Sequence, residues 1–435
     1  MKIIHTADLH LGQIIYQNYD RSDEHMHFFH QLKRWCKEEK PDALVVSGDV
    51  FDIQQPSAST KKAFTEYFVD IHRECPDMHI VITAGNHDSA SRIQADSAVW
   101  ELAGTTLIGM APIQNASEGW QERYIVRLQS GYIIAVPFLA AERKEVLQEL
   151  LDTVEEENEA GKPVVMLGHT AVTGLDITGH NIEIGKLKTQ DPDSFGNGYD
   201  YLALGHIHKP QTIAHPEDSM KEDCSYDAPV IRYSGSVLHV SCDEAYPHSV
   251  SLVDIDKHGG KVHVKQLRIN ELRHFYILPE DGSDFSNADD VIKAVQQFCS
   301  DNKSGYFRLR IVNTTDLPAN FNQQIYDALA LTNDKIRYNP KIIWTGVPTD
   351  GSSSKEKPTF EVAELQQMTD PVTFIEKTKE QYPGLDMADV RQAFQEVEAE
   401  LVRMEEEEKE KAAAKAANKK KASKNSTEQI TSEEE

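Results

Sequence analysis

Short apolar segments alternate with longer amphipathic segments through the first 210 residues. The apolar segments are typical of strands that are buried on both faces, because such strands have few polar positions. They are Ile3-Ile4, Ala43–Val46, His79–Thr83, Pro163–Leu167 and Tyr201–Leu204. Apolar residues recur at three- and four-residue spacing over Phe28–Trp35 and again over Phe64–Ile71, between the first three segments. This alternation of strand and helix predicts an α/β core.

Two further pairs of segments have the pattern of β-hairpins. Arg123–Leu128 and Tyr132–Val136 are separated by Gln-Ser-Gly, and Ser249–Val253 and Lys261–Leu267 flank a turn that contains Gly-Gly. Glycine-containing turns between apolar, alternating segments are typical of hairpins. With the α/β alternation, they predict a mixed β-sandwich flanked by helices over residues 1–270.

The rest of the chain divides by composition. Residues 271–346 predict a small α+β domain with a helix near Ala288–Cys299, and 347–358 have the composition of a linker. Residues 359–404 predict helices. The second of these helices carries a narrow apolar seam that favours docking on a partner helix or, equally, packing on its own domain. Residues 405–435 are low in complexity and predicted to be disordered.

Charge and cysteine usage exclude several classes of protein. Lys and Arg total 45 against 71 for Asp and Glu, a net charge of −26, so the chain does not bind nucleic acid by bulk charge. Five dispersed cysteines without a CxxC pair fit neither a disulfide framework nor a thiolate zinc site. No apolar run approaches the roughly 18 residues of a membrane span. We therefore expect a cytoplasmic protein that does not enter a membrane.

Candidate chemistry follows directly after the five apolar segments, as five short polar clusters. They are Asp8-Leu-His10, Gly48-Asp49, Gly85-Asn86-His87-Asp88, Gly168-His169 and Gly205-His206-Ile-His208. Ligands of open α/β sheets bind at the carboxyl ends of strands, so these clusters can meet at one edge. A lone histidine or aspartate at such a place is usually structural, but chance does not produce five in order. Carboxylate, amide and imidazole donors together suit Mn²⁺, Fe or Zn²⁺.

This ordered set resembles the signature of the calcineurin-like metallophosphoesterases. More narrowly, the sequence resembles the nuclease subunits of SbcCD-type complexes, a family of DNA double-strand-break repair nucleases. The segments that carry the resemblance are His5–Gly12, Pro41–Asp52, Ala84–Ser89, Tyr201–His208 and Arg232–Ser236. It covers residues 1–270 and extends more loosely over 271–346, where the family has a capping domain.

The resemblance implies two metal ions, Mn²⁺ in this family, and assigns their ligands. One ion would be held by Asp8, His10, Asp49 and His208. The other would be held by Asp49, Asn86, His169 and His206, with Asp49 between the two. A shared carboxylate offsets two dications about 3.5–4 Å apart, which together stabilise the attacking and leaving oxygens of a phosphodiester.

Two further positions next to these ligands are singled out. His87 matches the family's histidine that contacts the scissile phosphate and can protonate the departing oxygen, a role suited to a group that titrates near neutral pH. Its alternative role is a hydrogen bond that supports a ligand. At Asp52 some relatives carry a second phosphate-facing histidine, which is absent here.

The resemblance implies a 3′→5′ double-strand exonuclease and single-strand or hairpin endonuclease in DNA repair, recombination and replication. Its implied partners are DNA and an SbcC-type ATPase, within a heterotetramer that contains a homodimer of this chain. The sequence has no GxxxxGK[ST] loop, so ATP use would belong to the partner. The same ligands would equally serve a metallophosphoesterase acting on a small nucleotide or cyclic nucleotide. A third hypothesis is that the chain is a non-catalytic scaffold with a relic metal fold.

Overall fold

A computed structural model of the chain describes residues 1–344, with gaps at 17–18, 114–117, 177–188, 219–220, 241–243, 245, 302–303, 313–316, 319 and 333–334. The predicted linker 347–358, helices 359–404 and tail 405–435 lie outside the described residues. Residues 1–349 form one compact unit by their internal contacts. The domain boundary predicted at residue 270 therefore stays a prediction.

Six α-helices lie in the described part of the chain. They are α1 (Ser22–Glu39), α2 (Ala58–Glu74), α3 (Ala90–Glu101), α4 (Lys144–Glu157), α5 (Ala288–Ser300) and α6 (Phe321–Leu329). The periodic segments Phe28–Trp35 and Phe64–Ile71 fall in α1 and α2, as predicted. Their apolar positions are buried, because spacing by three and four places them on one face of each helix.

The described residues also form twenty strands, most of them short. They are β1 (Lys2–Thr6), β2 (Ile14–Ile15), β3 (Tyr19–Asp20), β4 (Ala43–Ser47), β5 (His79–Thr83), β6 (Thr105–Ile108), β7 (Ile125–Arg127), β8 (Tyr132–Ala135), β9 (Val164–His169), β10 (Ala171–Val172), β11 (Thr189–Gln190), β12 (Tyr201–Gly205), β13 (Gln211–Thr212), β14 (Asp223–Asp227), β15 (Val230–Tyr233), β16 (Ser249–Ile255), β17 (Lys261–Arg268), β18 (His274–Leu278), β19 (Gly305–Ile311) and β20 (Ile336–Trp344). The five predicted core strands are β1, β4, β5, β9 and β12.

Two mixed sheets form the body of the fold. The first sheet has the order β14-β17-β16-β1-β4-β5-β6 and the second has the order β13-β15-β12-β9-β8-β7. Strands β1, β4, β5 and β6 run parallel, as do β8, β9, β12 and β15. Both predicted hairpins are confirmed, since β7 pairs with β8 and β16 with β17, each antiparallel.

The two sheets pack face to face and helices cover the outer face of the first. One apolar cluster contains Val45 and Val81 of the first sheet together with Leu167 and Leu204 of the second. A second cluster contains the opposite face of the first sheet and the apolar faces of α1, α2 and α3. Both faces of these strands are buried, which is why they read as continuous apolar runs. The predicted sandwich is confirmed.

A third sheet, in the order β18-β19-β20, follows the sandwich in sequence. Its strands are parallel and, with α5 and α6, enclose a separate apolar cluster around Phe307, Ile325 and Tyr338. This part of the chain corresponds to the region predicted as a small α+β domain, and the bounds 271–346 of that domain stay a prediction. In the part of the chain that the structure describes, no helix combines the length and the apolar character needed to cross a bilayer.

Candidate metal centre

The five polar clusters meet at one edge of the sandwich, but they come from two facing sheets rather than from one. Asp8, Asp49 and Asn86 lie in loops after β1, β4 and β5 of the first sheet, whereas His169 ends β9 of the second sheet. The loop after β12 contributes His206 and His208. Because every strand concerned points the same way, its carboxyl end delivers polar side chains to the gap between the sheets.

Three of the predicted ligands form a first group. Each of Asp8, His10 and His208 offers one oxygen or nitrogen, and these three atoms all lie within 4.8 Å of one another. The His10 and His208 rings are 5.3 Å apart between centroids and meet edge to face. Asp49 Oδ2 lies 3.9 Å from His10 Nε2 and so extends this group towards the second.

The remaining ligands form a second group around the Asn86 amide oxygen. That oxygen lies 3.0 Å from His169 Nε2 and 2.9 Å from His206 Nδ1. Asp49 Oδ2 is 3.3 Å from the same His169 nitrogen. Asp8, Asp49 and His169 also offer atoms that lie within 4.8 Å of one another, so the two groups are continuous. The structure therefore brings all seven predicted ligands together.

Several of these ligands sit on a backbone that L-amino acids rarely adopt. The φ angles are +51° at Asp8, +45° at His10, +48° at Asp49 and +93° at His206. Non-glycine residues with positive φ cost of the order of 1–3 kcal/mol each and cluster at functional sites. Hydrogen bonds hold this geometry, since the Asp8 carboxylate accepts from the His206 backbone N–H at 2.9 Å.

Glycine at position 48 is required by close approach to a ligand. Its φ angle is +82°, and a Cβ built there would lie 2.2 Å from His169 Nδ1. That nitrogen donates to the Ser47 carbonyl at 2.8 Å, which fixes the ring and leaves Nε2 towards Asp49 and Asn86. A side chain at 48 would displace the ring, so this glycine belongs to the construction of the site.

The buried donors fit a divalent cation. His10 Nε2 has no hydrogen-bond partner among the described residues, although the residue is only 3% exposed. Buried polar atoms are nearly always satisfied, so this nitrogen is free to bind a cation. Two buried carboxylates with amide and imidazole donors match the preference of Mn²⁺, Fe and Zn²⁺ for mixed oxygen and nitrogen sites.

Electrostatics in the site agree with cation binding. Burial raises the pKa of Asp8 to about 6, and the charge of Asp49 adds to this. Burial acts against ionisation of Asp49 too, but His169 and His10 outweigh it and hold the pKa of Asp49 well below its usual range. Burial would lower the pKa of His169, whereas the Asp49 carboxylate raises it to about 9. The two carboxylates thus concentrate negative charge in the site, and a bound cation would take the place of the protons on Asp8 and His169.

His87 and Asp52 lie on the open side of the first group. The His87 side chain is exposed, its ring lies 4.9 Å from that of His10, and its backbone N–H donates to Asp49 Oδ1 at 2.8 Å. The His87 Nδ1–H donates to the Asp52 carbonyl at 2.9 Å. Asp52 Oδ1 lies 3.4 Å from His10 Nδ1, so the position singled out by the resemblance borders the site, although no role was predicted for this carboxylate.

Asp88 supports the site from behind. Its carboxylate is buried and accepts from the backbone N–H groups of Val50, Phe51 and Gly85, at 2.8–3.0 Å. It therefore ties the loop after β4 to the loop after β5, and these loops carry Asp49 and Asn86. Carboxylates that orient ligands in this way are typical of metal sites.

Comparisons with known proteins agree with the fold. A family model described as calcineurin-like phosphoesterase matches residues 1–210. The sandwich and its buried donor set thus define a metallophosphoesterase, a class that implies divalent metal ions.

Individual relatives narrow this class. The SbcD subunit of nuclease SbcCD from Rhodobacter capsulatus is 31% identical over 297 residues, which are 61% of this chain and 69% of that protein. The SbcD subunit from Bacillus subtilis is 30% identical over 321 residues, 65% and 76% of the two chains. The SbcD subunit from Escherichia coli K12 is 28% identical over 275 residues, 58% and 65%. The chain belongs to the SbcD family of nucleases.

Proposed function

We propose that this chain is the nuclease subunit of an SbcCD-type complex and hydrolyses DNA phosphodiesters with two Mn²⁺ ions. Its activities would be those of a 3′→5′ double-strand exonuclease and a single-strand or hairpin endonuclease. The observation that carries the proposal is the convergence of seven donors and His87 at the edge of the sandwich. Membership of a nuclease family supports DNA over a small phosphoester as the substrate.

The two groups of donors divide between two ions in this proposal. The first ion would be held by Asp8, His10, Asp49 and His208. The second would be held by Asp49, Asn86, His169 and His206, with Asp49 shared. When bound, such a pair of dications supplies Lewis acidity and neutralises charge on the phosphodiester.

His87 would contact the scissile phosphate and donate a proton to the leaving oxygen. Its exposure beside a buried set of donors supports this role, because a substrate could reach an exposed side chain. Because its Nδ1–H is engaged by the Asp52 carbonyl, Nε2 is the atom that would carry the proton. The backbone N–H of His87 on Asp49 fixes the distance between this histidine and the donors. Positioned proton donors of this kind contribute about 10²–10⁴-fold to rate.

The partner in this proposal is an SbcC-type ATPase, joined to a homodimer of this chain in a heterotetramer. A net charge of −26 is unsuited to holding DNA by bulk electrostatics, so a partner surface would supply much of the contact with phosphates. Residues 359–404, with their apolar seam, are the segment proposed to bind the ATPase.

Cleavage assays on the full chain test the proposal. Open and end-blocked linear duplexes would be compared in Mn²⁺ and in Mg²⁺, with and without the ATPase partner and ATP, beside a chromogenic phosphodiester. We expect Mn²⁺-dependent cleavage of open ends that the partner and ATP stimulate. Hydrolysis of the chromogenic ester alone would instead favour a small-molecule phosphoesterase.

The variant His87→Ala tests the assigned role within the same assay. We expect cleavage to fall by at least about 10²-fold while the chain still binds two Mn²⁺ ions. His30→Ala, which removes an exposed histidine from α1, is the matched control and should cleave normally. Loss of bound metal in His87→Ala would make His87 a ligand and contradict the assignment.

A further inference from the structure

Glu244 lies directly behind the first group of donors, although no sequence pattern singles it out. The residue is 2% exposed, and its Oε1 accepts from His208 Nδ1 at 3.0 Å. The other oxygen, Oε2, accepts from the Val240 backbone N–H at 2.9 Å and lies 3.5 Å from His248 Nε2. A buried carboxylate is therefore held on both oxygens and aimed at one predicted ligand.

This contact decides which nitrogen of His208 can bind a metal. An ionised carboxylate only accepts hydrogen bonds, so His208 Nδ1 must carry the proton and Nε2 must carry the lone pair. The ring is thus set, before any metal binds, in the tautomer and orientation that a ligand needs.

The two histidines of the second group are held differently. His169 Nδ1 donates to the backbone carbonyl of Ser47, a neutral acceptor. His206 Nδ1 faces the Asn86 amide oxygen, which belongs to the second group itself. A negatively charged partner makes an imidazole more basic than a carbonyl does, so the carboxylate strengthens one metal position more than the other.

We propose that Glu244 is a positioning residue that selectively tightens the metal position containing Asp8, His10 and His208. The inference rests on the proposed function, since it presupposes two ions in this centre. Residues that orient metal ligands through a hydrogen bond typically change metal affinity by 10–100-fold when replaced. The two ions should then differ in their dependence on Glu244.

Titration of the metal-stripped full chain with Mn²⁺, followed by electron paramagnetic resonance and calorimetry, tests this. Glu244→Gln keeps the shape and an acceptor oxygen for His208 but removes the charge. We expect one of the two Mn²⁺ affinities to weaken by about 10–100-fold while the other stays as in the wild type. The affinity that weakens should be the one lost in His208→Ala, and adding Glu244→Gln to His208→Ala should change nothing further.

Asp200→Asn is the matched control. Asp200 is also a buried carboxylate paired with a histidine, since its Oδ2 lies 3.1 Å from His258 Nδ1, but it precedes β12 at the end away from the site. It should leave both Mn²⁺ affinities unchanged. Unchanged binding in Glu244→Gln, or equal weakening of both ions, would overturn the proposal. Failure of the wild type to bind two ions would instead contradict the proposed function.

Discussion

Single residues in this site combine chemical function with unusual backbone geometry. Asp8, His10 and Asp49 all adopt left-handed φ angles, and each follows a strand that ends within a few residues. A strand that ended in ordinary extended backbone would carry its last side chains past the edge of the sheet. The left-handed turn folds them back into the gap between the sheets, at a cost in strain that packing of the two sheets must offset.

At this scale the sequence indicated which side chains meet, but not what supports them. The seven predicted ligands and His87 lie in clusters that follow apolar runs in a fixed order, and the family resemblance assigned their roles, which stay predictions. The resemblance singled out position 52 but predicted no contact for its carboxylate, and nothing in the local pattern distinguishes Glu244. Glu244 is 36 residues away from His208 in sequence, and the contact depends on how the chain returns to the site after β15. Contacts of that kind follow from tertiary structure, not periodicity.

Gly48→Ala should disable the centre without touching a donor. The added Cβ would overlap His169 Nδ1 and would force a left-handed φ angle on alanine. We expect Mn²⁺ affinity to fall by at least about tenfold, as when a residue that orients a ligand is lost, measured by titration of the metal-stripped protein. Gly282→Ala is the control, since Gly282 has φ +80° and a Cβ added there would meet nothing within 4 Å. It should lose about 1–2 kcal/mol of stability and bind metal normally.

Elements, in contrast to individual contacts, were largely predictable. Strands such as β4 and β5 are buried on both faces, so the run of apolar residues marks them directly. Two-residue strands such as β2 and β10 are too short to show any period and were not predicted. The sequence also predicted that all five clusters meet at the edge of one sheet. In the structure two facing sheets contribute them, because tertiary packing decides which strands pair in which sheet.

The N-terminal caps of α2 and α3 allow a test at the level of single helices. Ser57 caps α2, and its Oγ accepts from the Thr60 backbone N–H at 3.1 Å, whereas Ser89 precedes α3 without a capping bond from its side chain. Ser57→Ala should therefore lower the free energy of unfolding by about 1 kcal/mol, measured by urea denaturation. Ser89→Ala should change the free energy of unfolding by no more than about a few tenths of a kcal/mol. Equal losses in the two variants would contradict this account of the caps.

At the scale of the whole molecule, a network of buried charged and polar side chains links α1 of the sandwich to the third sheet. Glu24 of α1 pairs with Arg21 at 2.9 Å and accepts from the Tyr306 hydroxyl of β19 at 2.5 Å. Arg337 of β20 donates to the same hydroxyl at 2.8 Å. Removing one member of such a buried network leaves the others unpaired, at a cost of roughly 3–5 kcal/mol. The network therefore fixes how the third sheet sits against α1.

Beside that network, His25 links stability of the whole molecule to pH. His25 is buried, its Nε2 lies 2.8 Å from the Leu9 carbonyl, and burial together with Arg21 lowers its pKa to about 4. The unfolded chain takes up this proton below about pH 6.5, the folded chain only below about pH 4. The stabilisation is therefore complete above about pH 6.5 and is lost as the pH falls towards about 4, by up to about 3 kcal/mol.

The variant His25→Gln keeps a hydrogen-bond donor for the Leu9 carbonyl but does not titrate. Its free energy of unfolding, measured by urea denaturation in the presence of a chelator, should fall less steeply than that of the wild type between about pH 6.5 and about pH 4. His30→Gln, at an exposed position of the same helix, should follow the wild-type curve. If the His25→Gln and wild-type curves ran parallel, protonation of His25 would not contribute to acid unfolding. Other buried histidines, such as His5 and His239, would retain their own share of the slope, because burial lowers their pKa values as well.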